Sequence, residues 1–333
     1  DGTLTADDCD DSDAVSTTVA TDADCDGLIT SEDCDDADPD PTAGVNAGIA
    51  ETCPADSCSA IYDIGFSTGD GTYWIDPQNS GTPYEVYCLM DTAYNDGGWT
   101  MIMVSSDDGQ DNWTYNNAAY FTSDTTTFGD LTTMNFDLKS RALHEVGMTD
   151  VLFVHNPSNI WASYNSLATG VNGYEAFAQS HADSTCYTHG NGYAMSAGTL
   201  TATSQLCSTE LFINAIDRDG GTCGNGDGDD AFGPSWSVSD TNSTCPFDDP
   251  GHLSSLGPNA SFPSSEGVSQ ADGNPIGFGW ALGLNTGVSA SGENHMLVFV
   301  RRSPTDADGD GIRAWEDCDD NDPNIGATDN DGD

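Results

Sequence analysis

Apolar and polar positions alternate in six short stretches of the chain: 72–77 (TYWIDP), 84–90 (YEVYCLM), 99–105 (WTMIMVS), 150–156 (DVLFVHN), 210–216 (ELFINAI) and 296–302 (MLVFVRR). Each is rich in aromatic and β-branched residues, and Gly, Asn and Asp turns separate them, so each predicts a strand. Helical periodicity is brief, and its best run is 138–146, LKSRALHEV. The expected fold class is α+β, with short antiparallel sheets and many loops. The two ends lack any such pattern. Apolar residues are sparse there, and Asp recurs at fixed spacing instead.

That spacing defines a repeat. Residues 21–38 read TDADCDGLITSEDCDDAD, and residues 305–322 read TDADGDGIRAWEDCDDND. Residues 1–13, DGTLTADDCDDSD, are the same unit entered at its fifth position, and residues 328–333, TDNDGD, are the unit cut at its fifth position. A Ca2+ ion takes six to eight oxygens, and a twelve-residue loop supplies them from positions 1, 3, 5, 7, 9 and 12, with Gly at 6 for the turn. In the second unit these are Asp22, Asp24, Asp26, the Leu28 carbonyl, Thr30 and Asp33, around Gly27. In the third they are Asp306, Asp308, Asp310, the Ile312 carbonyl and Asp317, around Gly311. Each unit continues into further carboxylates, Asp35, Asp36 and Asp38 and then Asp319, Asp320 and Asp322, which offer a second or shared ion site. The pattern resembles thrombospondin type 3 repeats and the Asp-rich repeats of bacterial surface proteins. That resemblance implies bound calcium in a wrapped chain, with metal and disulfides replacing core burial. Asp329, Asp331 and Asp333 supply positions 1, 3 and 5, and the stretch from Asp1 to Asp8 supplies positions 5 to 12. Joined head to tail they complete one loop, so linear assembly or a tandem polyprotein is expected.

Composition sharpens this picture. Among 333 residues, 56 are acidic and 6 basic, a formal net charge of -50. Such a charge repels nucleic acid and anionic membrane surfaces. It also opposes compaction unless cations neutralise it. Residues 1–40 and 304–333 hold 26 of the acids, more regularly spaced than general acidification would place them. The other 263 residues still carry 30 acids against 5 bases, so adaptation to high salt stays open as a partial account. The 11 cysteines, without a CxxC pair or zinc-type Cys/His cluster, point to disulfides and an oxidising compartment. No run of 18 apolar residues occurs, so no membrane span is expected. No signal-peptide pattern occurs either, which for a secreted protein implies a mature or trimmed form.

Between the ends, residues 41–57 read as a linker closing on TCPADSC, and residues 58–302 as one domain between repeats at 1–40 and 303–333. Residues 57–77, SCSAIYDIGFSTGDGTYWIDP, and 83–103, PYEVYCLMDTAYNDGGWTMIM, resemble the N-terminal part of the fibrinogen C-terminal-like domain, with its tyrosine–cysteine strand and Gly-Gly-Trp-Thr motif. Two departures are visible: Leu89 follows the cysteine where the family usually has Asp, and Asp96 replaces a glycine. The resemblance implies a Cys58–Cys88 disulfide and a core role for Trp99. Residues 278–302 are similar to the end of intelectins, the calcium-dependent lectin branch. That resemblance implies calcium near Asp217 and Asp219, with disulfides Cys223–Cys245 and Cys186–Cys207. Alternating carboxylates followed by glycines make a calcium loop on physical grounds too, with Asp227, Asp229 and Asp230 as further candidates; the bland alternative is a solvated Gly/Asp loop. Intelectins bind glycan diols through calcium, helped by a His where this chain has Thr222, and by an aromatic pair matched here by Trp280 with Val288 near the second place. Trp236, Trp280 and Phe278 are candidates for stacking on sugar, with core packing as the competing role.

Cys9–Cys25 and Cys34–Cys53 have the consecutive spacing of calcium-wrap repeats, which leaves Cys318 for a partner outside the segment. Sequons stand at Asn112, Asn242 and Asn259, so glycosylation is a candidate there. The six His lie in no metal or triad motif, and no phosphate loop is present, so no enzyme is expected. The expected function is a non-catalytic, extracellular or cell-surface, calcium-binding structural or adhesive module. Its partners would be neighbouring copies or modules, with calcium as the cofactor. A calcium-dependent lectin binding extracellular glycans is the alternative.

Overall fold

The computed structural model describes residues 7–10, 16–25, 27, 29, 34, 47–110, 112–114, 117, 119–167, 171–172, 193–202, 206–212, 234–238, 278 and 291–302. The chain divides into two compact units, one of Asp1–Asp91 with Pro304–Asp333 and one of Thr92–Ser303.

In the first unit, helix α1 (Cys58–Asp63) is followed by strands β1 (Gly71–Ile75) and β2 (Tyr84–Leu89). Ser57 starts the helix: its backbone is extended, and its hydroxyl accepts from Ala60 N at 3.2 Å. The strands pair antiparallel, with Tyr73 opposite Val86 and Ile75 opposite Tyr84. Asp76 closes the turn between them, accepting from Ser80 N at 3.0 Å and Gly81 N at 2.7 Å. Those donors hold its carboxyl below the usual range, against an opposing effect of burial. Residues 47–55 run beside β1, where Trp74 N donates to Gly48 O and Ala55 N to Trp74 O. Gly48 has φ +69°, and a Cβ there would stand 2.5 Å from Ile61 Cδ1, so glycine is required. Ile61, Tyr73, Ile75 and Val86 form the small core, and the Cys58–Cys88 disulfide ties α1 to β2.

The first strand of the second unit is β3 (Trp99–Ser106), followed by helix α2 (Ala119–Thr122), β4 (Leu138–Lys139) and helix α3 (Ala142–Glu145). Then come β5 (Gly147–Met148), β6 (Asp150–Asn156), β7 (Ile160–Tyr164), β8 (Val171–Asn172), β9 (Ala197–Gly198), β10 (Leu206–Phe212), β11 (Ser235–Val238) and β12 (His295–Arg301). The sheet runs β3–β12–β6–β7–β9, antiparallel throughout, with β4 also on β3. β10 pairs with β11, and β5 with β8. Every residue of β3 is buried, which explains its unbroken apolar run.

On one side Phe153, Trp236 and Phe278 pack ring to ring, Phe153 lying 5.0 Å from Trp236 and 6.2 Å from Phe278. Trp236 Nε1 donates to Tyr164 Oη at 2.7 Å, and that hydroxyl donates to Thr209 O at 2.7 Å, so both polar tips are satisfied inside the core. A second group is built on Trp113, fully buried, whose Nε1 donates to Val104 O at 2.6 Å while Phe121 and Phe128 pack on its ring. Trp99 takes the core place that the resemblance implies. Its ring carries the Arg301 guanidinium 4.0 Å above it, and Arg301 pairs with buried Asp150 at 3.0 Å and donates to Gly97 O. Its Nε1 donates to Asp96 O at 2.8 Å. Asp96, which replaces the family glycine, sits at φ +73°, the left-handed conformation that explains a glycine preference there.

The fold is the expected α+β, and five of the six predicted strands lie where the alternation puts them. The sixth, predicted at 210–216, is β10 at Leu206–Phe212; residues 213–216 lie outside the described chain. The helix expected over 138–146 is corrected. Leu138 and Lys139 are strand, and helix covers Ala142–Glu145 alone. Lys139 N donates to Phe128 O and accepts Phe128 N at its carbonyl, so tertiary pairing takes the backbone groups that a helix would need. The same pairing buries Lys139, whose Nζ donates to Asp124 O; burial pushes its pKa down to about 8. Among the described residues no helix is long and apolar enough to cross a membrane.

Candidate functional site

The second repeat contributes a loop folded around one carboxylate. Asp22, its first position, is fully buried. Its oxygens accept from Cys25 N at 2.7 Å, Gly27 N at 3.0 Å and Thr17 Oγ1 at 2.5 Å. Asp22 N in turn donates to Thr18 O at 2.9 Å. The amides of positions 4 and 6 are thus drawn onto the acid of position 1. Gly27 has φ +101°, the conformation the turn position needs. The Cys9–Cys25 disulfide clips the same loop, and Asp8 braces the strand-like bridge to Thr18 by accepting from Ser16 Oγ at 2.7 Å.

Asp24 is half-buried beside this turn. Among the described residues, the group that brings three potential ligand atoms together is Cys9, Asp22 and Cys25. The two cysteines form a disulfide, so Asp22 is the ionic member. Its donor-fed carboxylate and the loop's curl fit a calcium loop: N–H donors favour the ionised acid, the form a hard cation needs. The remaining ligands of the repeats, Asp1, Asp26, Leu28, Asp33, Asp35, Asp36, Asp38, Asp306, Asp308, Asp310, Ile312, Asp317, Asp319, Asp320, Asp322, Asp329, Asp331 and Asp333, lie outside the described residues, as do Asp217 and Asp219.

Among the described residues three disulfides are formed: Cys9–Cys25, Cys34–Cys53 and Cys58–Cys88. Cys186, Cys223, Cys245, Cys318 and the side chain of Cys207 are outside the described residues, with Asn242, Asn259 and Trp280. Trp236 and Phe278, weighed above for sugar stacking, are fully buried in the aromatic core and present no face to a ligand. Asn112 is half-buried; its amide groups hydrogen-bond to Asp137, and Thr114 of the same sequon is fully buried.

That last contact leads to a feature that sequence reading missed. Asp137 is 4 % exposed, and its Oδ1 accepts from Ser106 N at 2.8 Å. Its backbone N donates to Asp108 Oδ2 at 2.8 Å, which sets the Asp108 carboxylate against the Asp137 backbone. Burial, reinforced by the Asp108 charge, pushes the Asp137 carboxyl up to about 8. The neighbouring Asp107 is held by Ser291 Oγ at 3.1 Å and Asn294 Nδ2 at 3.4 Å. The Asp-Asp-Gly turn at 107–109 was visible in the sequence, but its companion 29 residues away was not.

A family model described as the fibrinogen beta and gamma chains, C-terminal globular domain, matches residues 55–229. Among solved structures, the fibrinogen-like globe domain of human ANGPTL6 matches at 15% identity, covering 76% of this chain and 97% of that one, with a TM-score of 0.34. The corresponding domain of human ANGPTL2 matches at 16% identity, 75% and 100% coverage, and a TM-score of 0.32. No curated protein sequence matches the chain.

Proposed function

The chain belongs to the family of the fibrinogen C-terminal globular domain, and from that membership we propose that it is a non-catalytic, extracellular structural or adhesive module stiffened by calcium. Domains of this family are in general non-enzymatic, and disulfides of the kind formed here are typical of secreted proteins. The observation that carries the calcium reading is the Asp22 carboxylate gathering the amides of Cys25 and Gly27. Asp22 and Asp24 would hold the ion among the described residues, and the ion would supply charge neutralisation and cross-linking of the loop rather than chemistry. An odd total of 11 cysteines leaves at least one thiol free or bonded outside the chain, which supports neighbouring copies or modules as partners.

The test is a calcium titration of the full chain, read by hydrodynamic size and by protease cleavage within residues 7–34. Calcium should contract the chain and protect this segment, and chelation should reverse both. Unchanged size and cleavage would sink the proposal. A glycan array with and without chelator runs beside it: calcium-dependent sugar binding would favour the lectin reading instead.

A further inference from the structure

Strands β1 and β2 bury one face of their hairpin and turn the other to solvent. Tyr73, Ile75, Val86 and Cys88 are buried, whereas Thr72 and Glu85 are exposed and Trp74 and Tyr87 are half-buried. On the outer face Trp74 stands opposite Glu85, and Thr72 opposite Tyr87. Trp74 spends both backbone groups on the far side of β1, its N on Gly48 O and its O on Ala55 N. Trp74 and Glu85 are therefore a non-hydrogen-bonded pair, the kind whose side chains approach closest, with Cβ atoms about 4.5–5.5 Å apart. Among the described residues Glu85 makes no ion pair and Trp74 packs on no other ring. At the open end of the hairpin Asp70 and Asp91 add two exposed acids, Asp70 Oδ1 accepting from Asp91 N at 2.9 Å.

The same chain shows what a tryptophan ring beside a carboxylate is fit to hold. In the second unit the Arg301 guanidinium lies 4.0 Å from the centre of the Trp99 ring and pairs with Asp150 at 3.0 Å. Trp74 and Glu85 present the same two groups at the surface. We propose that the outer face of the β1–β2 hairpin docks an arginine side chain from a basic segment of another protein. A guanidinium can lie flat on the indole while its edge donates to the carboxylate, which an ammonium cannot do as well. Charge identifies the occupant. Of the six basic residues, Lys139 and Arg301 are buried and Arg141 is paired with Glu145, so the chain has few cations to offer a second copy. A net charge of -50 draws a basic partner to this face more readily than another acidic chain.

The test is calorimetric titration of the full chain with a short peptide alternating glycine and arginine, at about 0.3 M salt, where diffuse attraction to the acidic surface is screened. Glu85→Gln removes one of 56 acids, so it leaves that diffuse attraction almost unchanged. It should still weaken binding about fivefold, Trp74→Ala by about the same factor, and Trp74→Phe, which keeps a ring, by less. Melting curves show whether each variant is folded, and Glu85→Gln with Trp74→Phe decides the matter if Trp74→Ala is not. A lysine version of the peptide should bind wild type more weakly than the arginine version. Equal affinity of wild type and Glu85→Gln for the arginine peptide would overturn the proposal. So would undiminished binding of a peptide carrying citrulline in place of arginine. Sedimentation of the chain alone covers the other occupant: self-association abolished by Glu85→Gln would assign the face to a second copy and overturn the separate partner.

Discussion

Residues 7–34 and strand β3 solve the same problem in opposite ways. Among the described residues of 7–34 the buried one is an aspartate, Asp22, while Val19 and Ile29 are exposed. In β3 all eight residues are buried, and the neighbouring Trp113 gives its one polar atom to Val104 O. Among its described residues the first region buries no large apolar side chain, so its order rests on a disulfide, a donor-fed carboxylate and, by the proposal above, an ion. The second rests on oil, with polar tips individually satisfied. The contrast teaches that acid-rich sequence is compatible with local order when its buried carboxylate is given N–H donors, and that one chain can use both strategies.

Trp113→Ala would break the contrast hardest. It should destabilise the sheet unit by about 3–5 kcal/mol in urea unfolding monitored by fluorescence, whatever the calcium level. A calcium-dependent loss would contradict an oil-based core. Next, Cys9→Ser with Cys25→Ser removes the clip from the acidic loop. The crosslink spans 16 residues, so about 3 kcal/mol of local stability should go, seen as faster proteolysis at 16–27, while the sheet unit's unfolding midpoint stays put. A shifted midpoint would show that the regions are not separable.

The smallest effect is a pH dependence confined to the sheet. Burial, with His295 nearby, holds His155 down to about 4, and its Nδ1 meets Ser158 Oγ at 2.7 Å. A depressed folded-state pKa means stability is full above the unfolded value near 6.5 and is lost as pH falls toward 4. Between pH 7 and pH 6 the loss should be about 1 kcal/mol or less, and His155→Phe should flatten it. A sheet unit equally stable at pH 7 and pH 5 would remove this account.

Legibility followed sequence separation. Strands with a period of two, such as 84–90, were readable because the signal lies in neighbouring residues. The turn at Gly27 was readable for the same reason, as its φ of +101° is a local demand. The helix over 138–146 misled because Leu138, Ala142 and Val146 share a helical face, while Phe128 and β3 claim the backbone of Lys139. The sugar-stacking candidates Trp236 and Phe278 went into the core because aromatic residues carry no mark that separates a platform from a filling.

The sequence by itself determined the alternating strands, the left-handed turn, the Asp spacing of the repeats and the oxidising chemistry of the cysteines, since each is written in residues close along the chain. Tertiary structure alone decided that Asp137 faces Asp108 across 29 positions, that Arg301 caps Trp99 across more than 200, and that Lys139 is buried. The reason is physical: propensity and spacing act between neighbours, whereas desolvation and charge depend on which distant segments the sheet brings together.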